Sequence, residues 1–344
     1  MSKKKVKVGG LTLGDGKIYI QSMLNIPAEL TEKSVEQAIQ LEKAGCEIVR
    51  AAIPTIEAVR LIPAIKEKVS IPLVADIHFD YRIAIAAVEA GVDKVRINPG
   101  NIGGADRVRM VADVCRKHSV PIRIGVNSGS LERELLKKYG SPTPEALVES
   151  AMAHVKLLND CDFDDIVISI KSSDVKLMIA AYRLLAQQVD YPLHLGVTEA
   201  GTERMGLVKS AVGIGSLLCD GIGDTIRVSL TADPIKEIYA AKDILSACGM
   251  GGGVQIVSCP TCGRTKIDLI TLASQVEALC RDIDKPLKIA VMGCVVNGPG
   301  EAREADLGIA GGNGEGIIFK KGQILRKVPE DKLLYELKRE IDLL

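Results

Sequence analysis

The sequence predicts an α/β fold, a (β/α)8 TIM barrel, followed by a small α+β domain. Three observations carry this. From residue 17 to about 247, short β-like runs alternate with amphipathic helical runs, and four of those strands repeat an apolar–Arg–apolar phrase. A glycine-rich break at Ala247-Cys-Gly-Met-Gly-Gly-Gly253 then precedes a stretch of different rhythm. The length of 344 residues suits about two domains.

The expected strands are Lys17–Ser22, Glu47–Ala52, Leu73–Ile77, Lys94–Asn98, Pro121–Val126, Asp165–Ile170, Pro192–Val197 and Thr225–Leu230. A helical pattern follows each, as in Glu36–Ala44, Tyr81–Ala90, Arg107–His118 and Asp174–Gln188. Gly45 and Gly91 stand just past helix ends, and Pro72, Pro121 and Pro192 open the next strands. Such alternation builds a parallel sheet with right-handed crossovers, and eight units fit one barrel. A doubly wound open sheet is the alternative, but no Gly-x-Gly-x-x-Gly follows an early strand. Val6–Leu13 is expected to form a hairpin that closes the barrel's bottom. The domain boundaries are therefore 1–247 for the barrel, 248–253 for a hinge and 254–344 for the small domain. The latter begins with a strand at Val254–Val257 and a helix from Lys266 to Ile283. A strand Lys288–Val291, a Gly-rich stretch, a hairpin Gly316–Val328 turning at Lys321-Gly322, and a helix Glu330–Leu343 complete it.

Lys+Arg and Asp+Glu both number 44, and aromatics are 3% with no Trp. A nucleic-acid or membrane-surface binder would carry a basic excess, and single-strand binders need stacking platforms. Neither partner is expected. No apolar run approaches a membrane span, and no signal core follows the basic N-terminus, so the cytoplasm is the expected location. The nine cysteines are then thiols or metal ligands rather than disulfides.

Side chains two apart on a strand share a face. Arg50, Arg96 with Asn98, Arg123 with Asn127, and Arg227 with Ser229 thus line up along their strands. Asp76 and His78 alternate likewise on the third strand, Lys171 ends the sixth, and Thr198-Glu199-Ala200-Gly201 forms a loop after the seventh. An arginine pointing outward would face an apolar helix, at high cost. Pointing inward near the strand's C-terminal end, it reaches the mouth where barrel enzymes do chemistry. Five cations (Arg50, Arg96, Arg123, Lys171, Arg227) face two strand-borne carboxylates, Asp76 and Glu199. Buried ion pairs could absorb any one of these cations but not all five. The surplus of forked donors suits phosphate or diphosphate. Glu199 is the acid–base candidate.

The small domain carries Ser258-Cys259-Pro-Thr-Cys262-Gly-Arg264 and Met292-Gly-Cys294-Val-Val-Asn297-Gly-Pro-Gly-Glu301. Cys259 and Cys262 have the spacing that lets two thiolates reach one metal. Alone they fit a zinc knuckle, a redox dithiol or an iron–sulfur site. All four histidines lie before residue 195, so Cys3His zinc is excluded within this domain. Cys280 sits on an apolar helix face. Three thiolates and a carboxylate, Glu301 or Glu304, remain, a poor closed zinc set but workable on one iron of a 4Fe–4S cluster.

This pair of segments resembles the 4-hydroxy-3-methylbut-2-en-1-yl diphosphate synthase family, in its shorter bacterial form, over the whole chain. The resemblance implies a 4Fe–4S cluster on Cys259, Cys262, Cys294 and Glu301. It implies substrate contacts from Arg50, Asp76, His78, Arg96, Asn98, Arg123, Asn127, Lys171, Arg227, Ser229 and Asn297, with Glu199 catalytic. The reaction implied is reductive ring opening of 2-C-methyl-D-erythritol 2,4-cyclodiphosphate, fed by flavodoxin or ferredoxin. A head-to-tail homodimer is also implied. It suits a hinge that leaves from the barrel's bottom, far from the mouth.

Overall fold

The computed structural model describes residues 2–98, 101–281, 283, 285–294, 300 and 302–344. The chain divides into two compact units, one ending at Ile244 and the other running from Leu245 to Leu344.

The first unit opens with an antiparallel hairpin, β1 (Val6–Val8) and β2 (Leu11–Leu13). The barrel strands are β3 (Tyr19–Met23), β4 (Ile48–Ala52), β5 (Leu73–Asp76), β6 (Lys94–Ile97), β7 (Ile122–Asn127), β8 (Ile166–Lys171), β9 (His194–Leu195) and β10 (Thr225–Ile226). Their order is β8-β7-β6-β5-β4-β3-β10-β9, all parallel, and a bridge from Ile168 to Leu193 closes the ring. The helices are α1 (Thr31–Lys43), α2 (Leu61–Lys66), α3 (Tyr81–Glu89), α4 (Ala105–His118), α5 (Arg133–Tyr139), α6 (Pro144–Asn159), α7 (Val175–Ala186), α8 (Glu203–Cys219) and α9 (Pro234–Ala247). Asp80, Thr143 and Asp174 cap α3, α6 and α7 by accepting a backbone N–H, which fixes where those helices start. The hairpin's Val6, Val8 and Leu13 pack against Tyr19, Ile48, Val74 and Val167, plugging the bottom as expected.

Most strands fall within a residue or two of the predicted bounds, but two are much shorter. β9 and β10 keep only two residues each, so Arg227 and Ser229 lie past a strand end. The chain still tracks its neighbour there, since Arg227 N donates to Leu195 O at 3.0 Å.

The second unit has a five-stranded sheet of β11 (Val254–Ser258), β12 (Leu287–Met292), β13 (Leu307–Gly311), β14 (Glu315–Lys320) and β15 (Gln323–Pro329), in that order. The first three are parallel and the last three antiparallel. Helices α10 (Leu269–Cys280) and α11 (Leu333–Asp342) cover one face, burying Leu272, Val276, Leu337 and Ile341 against Ile289, Val291 and Ile309. The predicted hairpin forms, with Lys321 and Gly322 both at positive φ, the geometry of a tight two-residue connection. β13 lies within the stretch read only as Gly-rich. Its Leu-Gly-Ile-Ala-Gly lacks a β-branched run, and its place is set by a neighbour: the Phe319 ring fills the space a Cβ at Gly308 would take.

Candidate active site

Neighbouring barrel strands are staggered, so residues at one height come from alternate strands. The registers place Arg50, Arg96, Ser169 and Arg227 in one inward layer, with Asp76, Gly125 and Gly196 a step nearer the mouth. Gln21, Val74, Arg123 and His194 form the layer beneath. The inward reading of the arginines therefore holds. Two glycines make room for inward cations. A Cβ at Gly125 would strike the Arg96 guanidinium at 2.5 Å, and one at Gly196 would meet Lys171 Nζ at 2.9 Å.

Asp76 is the electrostatic centre. It is 2% exposed, and its carboxylate accepts from Arg50 Nη2 at 2.5 Å and from Arg96 Nη1 at 3.1 Å. Burial alone would push this carboxyl up, but the Arg50 and Arg96 guanidiniums more than reverse that and hold it well below the usual carboxylate range. Arg96 Nη1 also lies 3.1 Å from His78 Nε2. A guanidinium only donates, so His78 accepts there and carries its proton on Nδ1.

Burial and the adjacent cations push Arg123 and Lys171 well below their ordinary values, and burial lowers Arg227 likewise. A guanidinium keeps its proton all the same, so the strain amounts to a standing demand for an anion. Arg50 Nε, Arg96 Nε, and Arg123 Nε and Nη1 are all buried without a hydrogen-bond partner among the described residues. Buried donors are normally paired, and this many orphans in one place mark a site built for an acceptor.

One functional carboxylate escapes the strand-based count. Glu237, in the first turn of α9, is 4% exposed. It accepts from Ser22 Oγ at 3.0 Å and Leu230 N at 3.1 Å, and lies 3.6 Å from Arg227 Nε. The mouth's buried carboxylates are thus Asp76 and Glu237, whereas Glu199 is exposed. Glu199 makes no hydrogen bond or ion pair with a described residue and sits at φ 51°. Phe79, beside His78, is also left-handed at φ 66°. Such strain in non-glycine residues costs about 1–3 kcal/mol each and collects at functional sites. Asn98, Asn127 and Ser229 are half-buried, at the end of β7 or just past the ends of β6 and β10.

In the second unit, parallel β11 and β12 end side by side, so the loops bearing Cys259 and Cys262 and the segment Gly293–Cys294 leave from one edge. That edge is where open parallel sheets bind ligands. Gly293 N donates to Cys259 Sγ at 3.1 Å, and Cys262 N donates to Thr265 Oγ1 at 3.2 Å. The backbone amide and then the side chain of Arg264 pull the exposed Cys262 thiol below its usual value. Amide donors at thiolates and a low thiol pKa are what iron–sulfur ligands require, so these cysteines fit that group. The three thiols do not by themselves converge, and no group of three His, Cys, Asp or Glu that could hold a metal exists among the described residues. Glu301 and Asn297 lie outside the described residues.

A closed barrel with an anion-hungry mouth, followed by an α+β unit presenting cysteines, defines a two-domain barrel enzyme. The particular family follows from comparison. The GcpE TIM-barrel domain matches residues 3–242 and the GcpE protein C-terminal domain matches residues 255–343, so the chain belongs to the GcpE family. A Clostridium perfringens protein is 58% identical over 98% of both chains. One from Fusobacterium nucleatum is 59% identical over 98% of this chain and 96% of its own. One from Bacillus mycoides is 53% identical over 99% and 94%. All three are named 4-hydroxy-3-methylbut-2-en-1-yl diphosphate synthase (flavodoxin). Among solved structures, dihydropteroate synthase from Stenotrophomonas maltophilia aligns with a TM-score of 0.53 at 14% identity, covering 71% of this chain and 98% of its own. That likeness concerns the barrel fold alone.

Proposed function

We propose that this protein reductively opens 2-C-methyl-D-erythritol 2,4-cyclodiphosphate to (E)-4-hydroxy-3-methylbut-2-enyl diphosphate. The balance is two electrons and one proton in, and one water out. The observation that carries this reading is the set of orphaned guanidinium donors at a mouth with two buried carboxylates. A ring diphosphate offers the anionic oxygens they lack.

Arg50, Arg96, Arg123, Lys171 and Arg227 hold the diphosphate in this reading. Asp76 keeps Arg50 and Arg96 aimed, and His78 follows Arg96. Asn98, Asn127, Ser229 and Asn297 bond the remaining substrate oxygens. Glu199, without a partner among the described residues and on strained backbone, moves the proton during C–O cleavage. When bound by Cys259, Cys262, Cys294 and Glu301, a 4Fe–4S cluster supplies the electrons and an iron with a displaceable ligand. Flavodoxin, in the relatives' names, or a ferredoxin serves as donor. Residues 1–247 act as the substrate domain and 254–344 as the redox domain, joined by the hinge 248–253 in a head-to-tail homodimer. We assign the enzyme to the cytoplasm; no described helix is long and apolar enough to cross a membrane.

The test is anaerobic purification, iron and sulfide analysis, and turnover of the cyclic diphosphate with dithionite. Four irons with matching sulfide and release of the linear diphosphate are expected. Stoichiometric zinc without sulfide, or a loaded protein that leaves the substrate intact, would overturn the reading.

A further inference from the structure

Below the arginine layer the barrel interior stays polar where barrels are ordinarily filled by branched apolar side chains. Gln21 and His194 share a layer with Arg123, and Lys94 shares the next one down with Ile48, Val167 and Thr225. Lys94 precedes Arg96 by two residues on β6, roughly 6–7 Å deeper. Gln21 is 1% exposed, and Lys94 and His194 are fully buried. Lys94 Nζ, both polar atoms of the Gln21 amide and His194 Nε2 have no partner among the described residues. His194 Nδ1 is 2.8 Å from Thr225 Oγ1. In the tautomer with the ring proton on Nε2, the threonine hydroxyl donates to Nδ1 and Nε2 is a further donor.

Donors dominate these two layers. Arg123 and Lys94 can only donate, and the other neighbours in the two layers are Ile48, Val74, Val167 and Thr225. Asp76 lies above and is already engaged by Arg50 and Arg96. Beneath these layers the hairpin packs against Tyr19, Ile48, Val74 and Val167. We propose that the interior between Lys94, Gln21, Arg123 and His194 is a binding site for a small monovalent anion of the halide class. The diphosphate site lies higher, and its ligand is too large for this one.

An anion here gives Lys94 the counter-charge it otherwise lacks. Without one, burial and then the charges of Arg123 and Arg50 bring its ammonium down to about 7. His194 is held well below its usual value by burial, Arg123, Lys171, Lys94 and Arg50, so it faces the anion as a neutral donor. Water would satisfy the hydrogen bonds but not the charge, and Lys94 would then be only partly protonated at neutral pH.

The experiment is bromide anomalous diffraction on crystals of the full chain, paired with unfolding midpoints in sodium bromide against sodium gluconate at equal ionic strength. A bromine peak in contact with Lys94 Nζ is expected. Bromide should raise the wild-type midpoint by a few degrees, and Lys94→Met should lose at least half of that rise. Chamber density without anomalous signal, or an equal bromide effect in both proteins, would overturn the proposal. In the second case the halide sits among the mouth arginines. If Lys94→Met does not fold, the wild-type anomalous map decides alone.

Discussion

The barrel mouth and the cysteine edge of the second unit are built on opposite principles. At the mouth, Arg50, Asp76, Arg96 and Arg123 ride on strands whose backbones are locked into a closed ring, and all four are buried. Their positions are fixed before any ligand arrives, as binding by preorganised charge requires. The cysteines stand instead on loops past the ends of β11 and β12. Cys262 is exposed, and the hydrogen bonds at Cys259 and Cys262 come from Gly293, Arg264 and Thr265 of the surrounding loops. The mouth thus stores electrostatic strain in a rigid frame, while the cysteine edge leaves its geometry for a bound group to complete. Ligand-free protein should therefore bind the anionic substrate but have no redox competence.

Removing a cysteine breaks that division most sharply. Cys294→Ser should lose cluster iron and lower turnover at least ~1,000-fold, with unfolding of the barrel unchanged by circular dichroism. Near-normal turnover with full iron would remove Cys294 from the ligand set. Arg123→Ala comes next. Losing a buried guanidinium that faces the diphosphate should weaken substrate binding about 100-fold, near 3 kcal/mol, while iron content stays at the wild-type value. Iron loss in that variant would show that the two regions are not independent.

Glu237→Gln should act more gently, because it holds Arg227 rather than the substrate. It keeps an acceptor for Ser22 and Leu230 but removes the charge opposite Arg227 Nε. A rise in KM of about 10-fold with kcat within threefold is expected for a positioning role. An equal fall in kcat would point to direct participation instead. The smallest effect is one of pH. The folded-state pKa of Asp76 is depressed from its usual value near 3.8, so its stabilising contribution is complete above that pH and is lost as pH falls through the lower folded value. The stability gap between wild type and Asp76→Asn, read from denaturant melts, should stay flat from pH 7 to about 5 and close only below about 4. Narrowing already between 7 and 5 would mean that the Arg50–Asp76–Arg96 triad is not what sets that pKa.

The arginines were legible in the sequence because a cation inside a short apolar strand has few places to go, and alternation then chooses the inward face. Glu237 was not. An acidic residue in the first turn of a helix reads as an ordinary solvated, dipole-favoured position, and nothing local says that this turn packs against Ser22 and Arg227. Lys94 opens its strand, where a lysine commonly reaches solvent; only barrel closure with the hairpin plug buries it. β13 was hidden because two of its five residues are glycines whose room is taken by Phe319 and Ile267 from elsewhere in the chain. The cysteine motifs were the plainest signal, yet Glu301 and Asn297, which belong to the same segment, lie outside the described residues.

The most direct measurement is calorimetric titration of the cyclic diphosphate into cluster-free Cys294→Ser protein, beside the cluster-loaded wild type. Binding within about threefold of wild type, together with no turnover in the presence of dithionite, is the expected result. Loss of binding along with the cluster would contradict the division between a preformed anion site in the barrel and a separate redox edge.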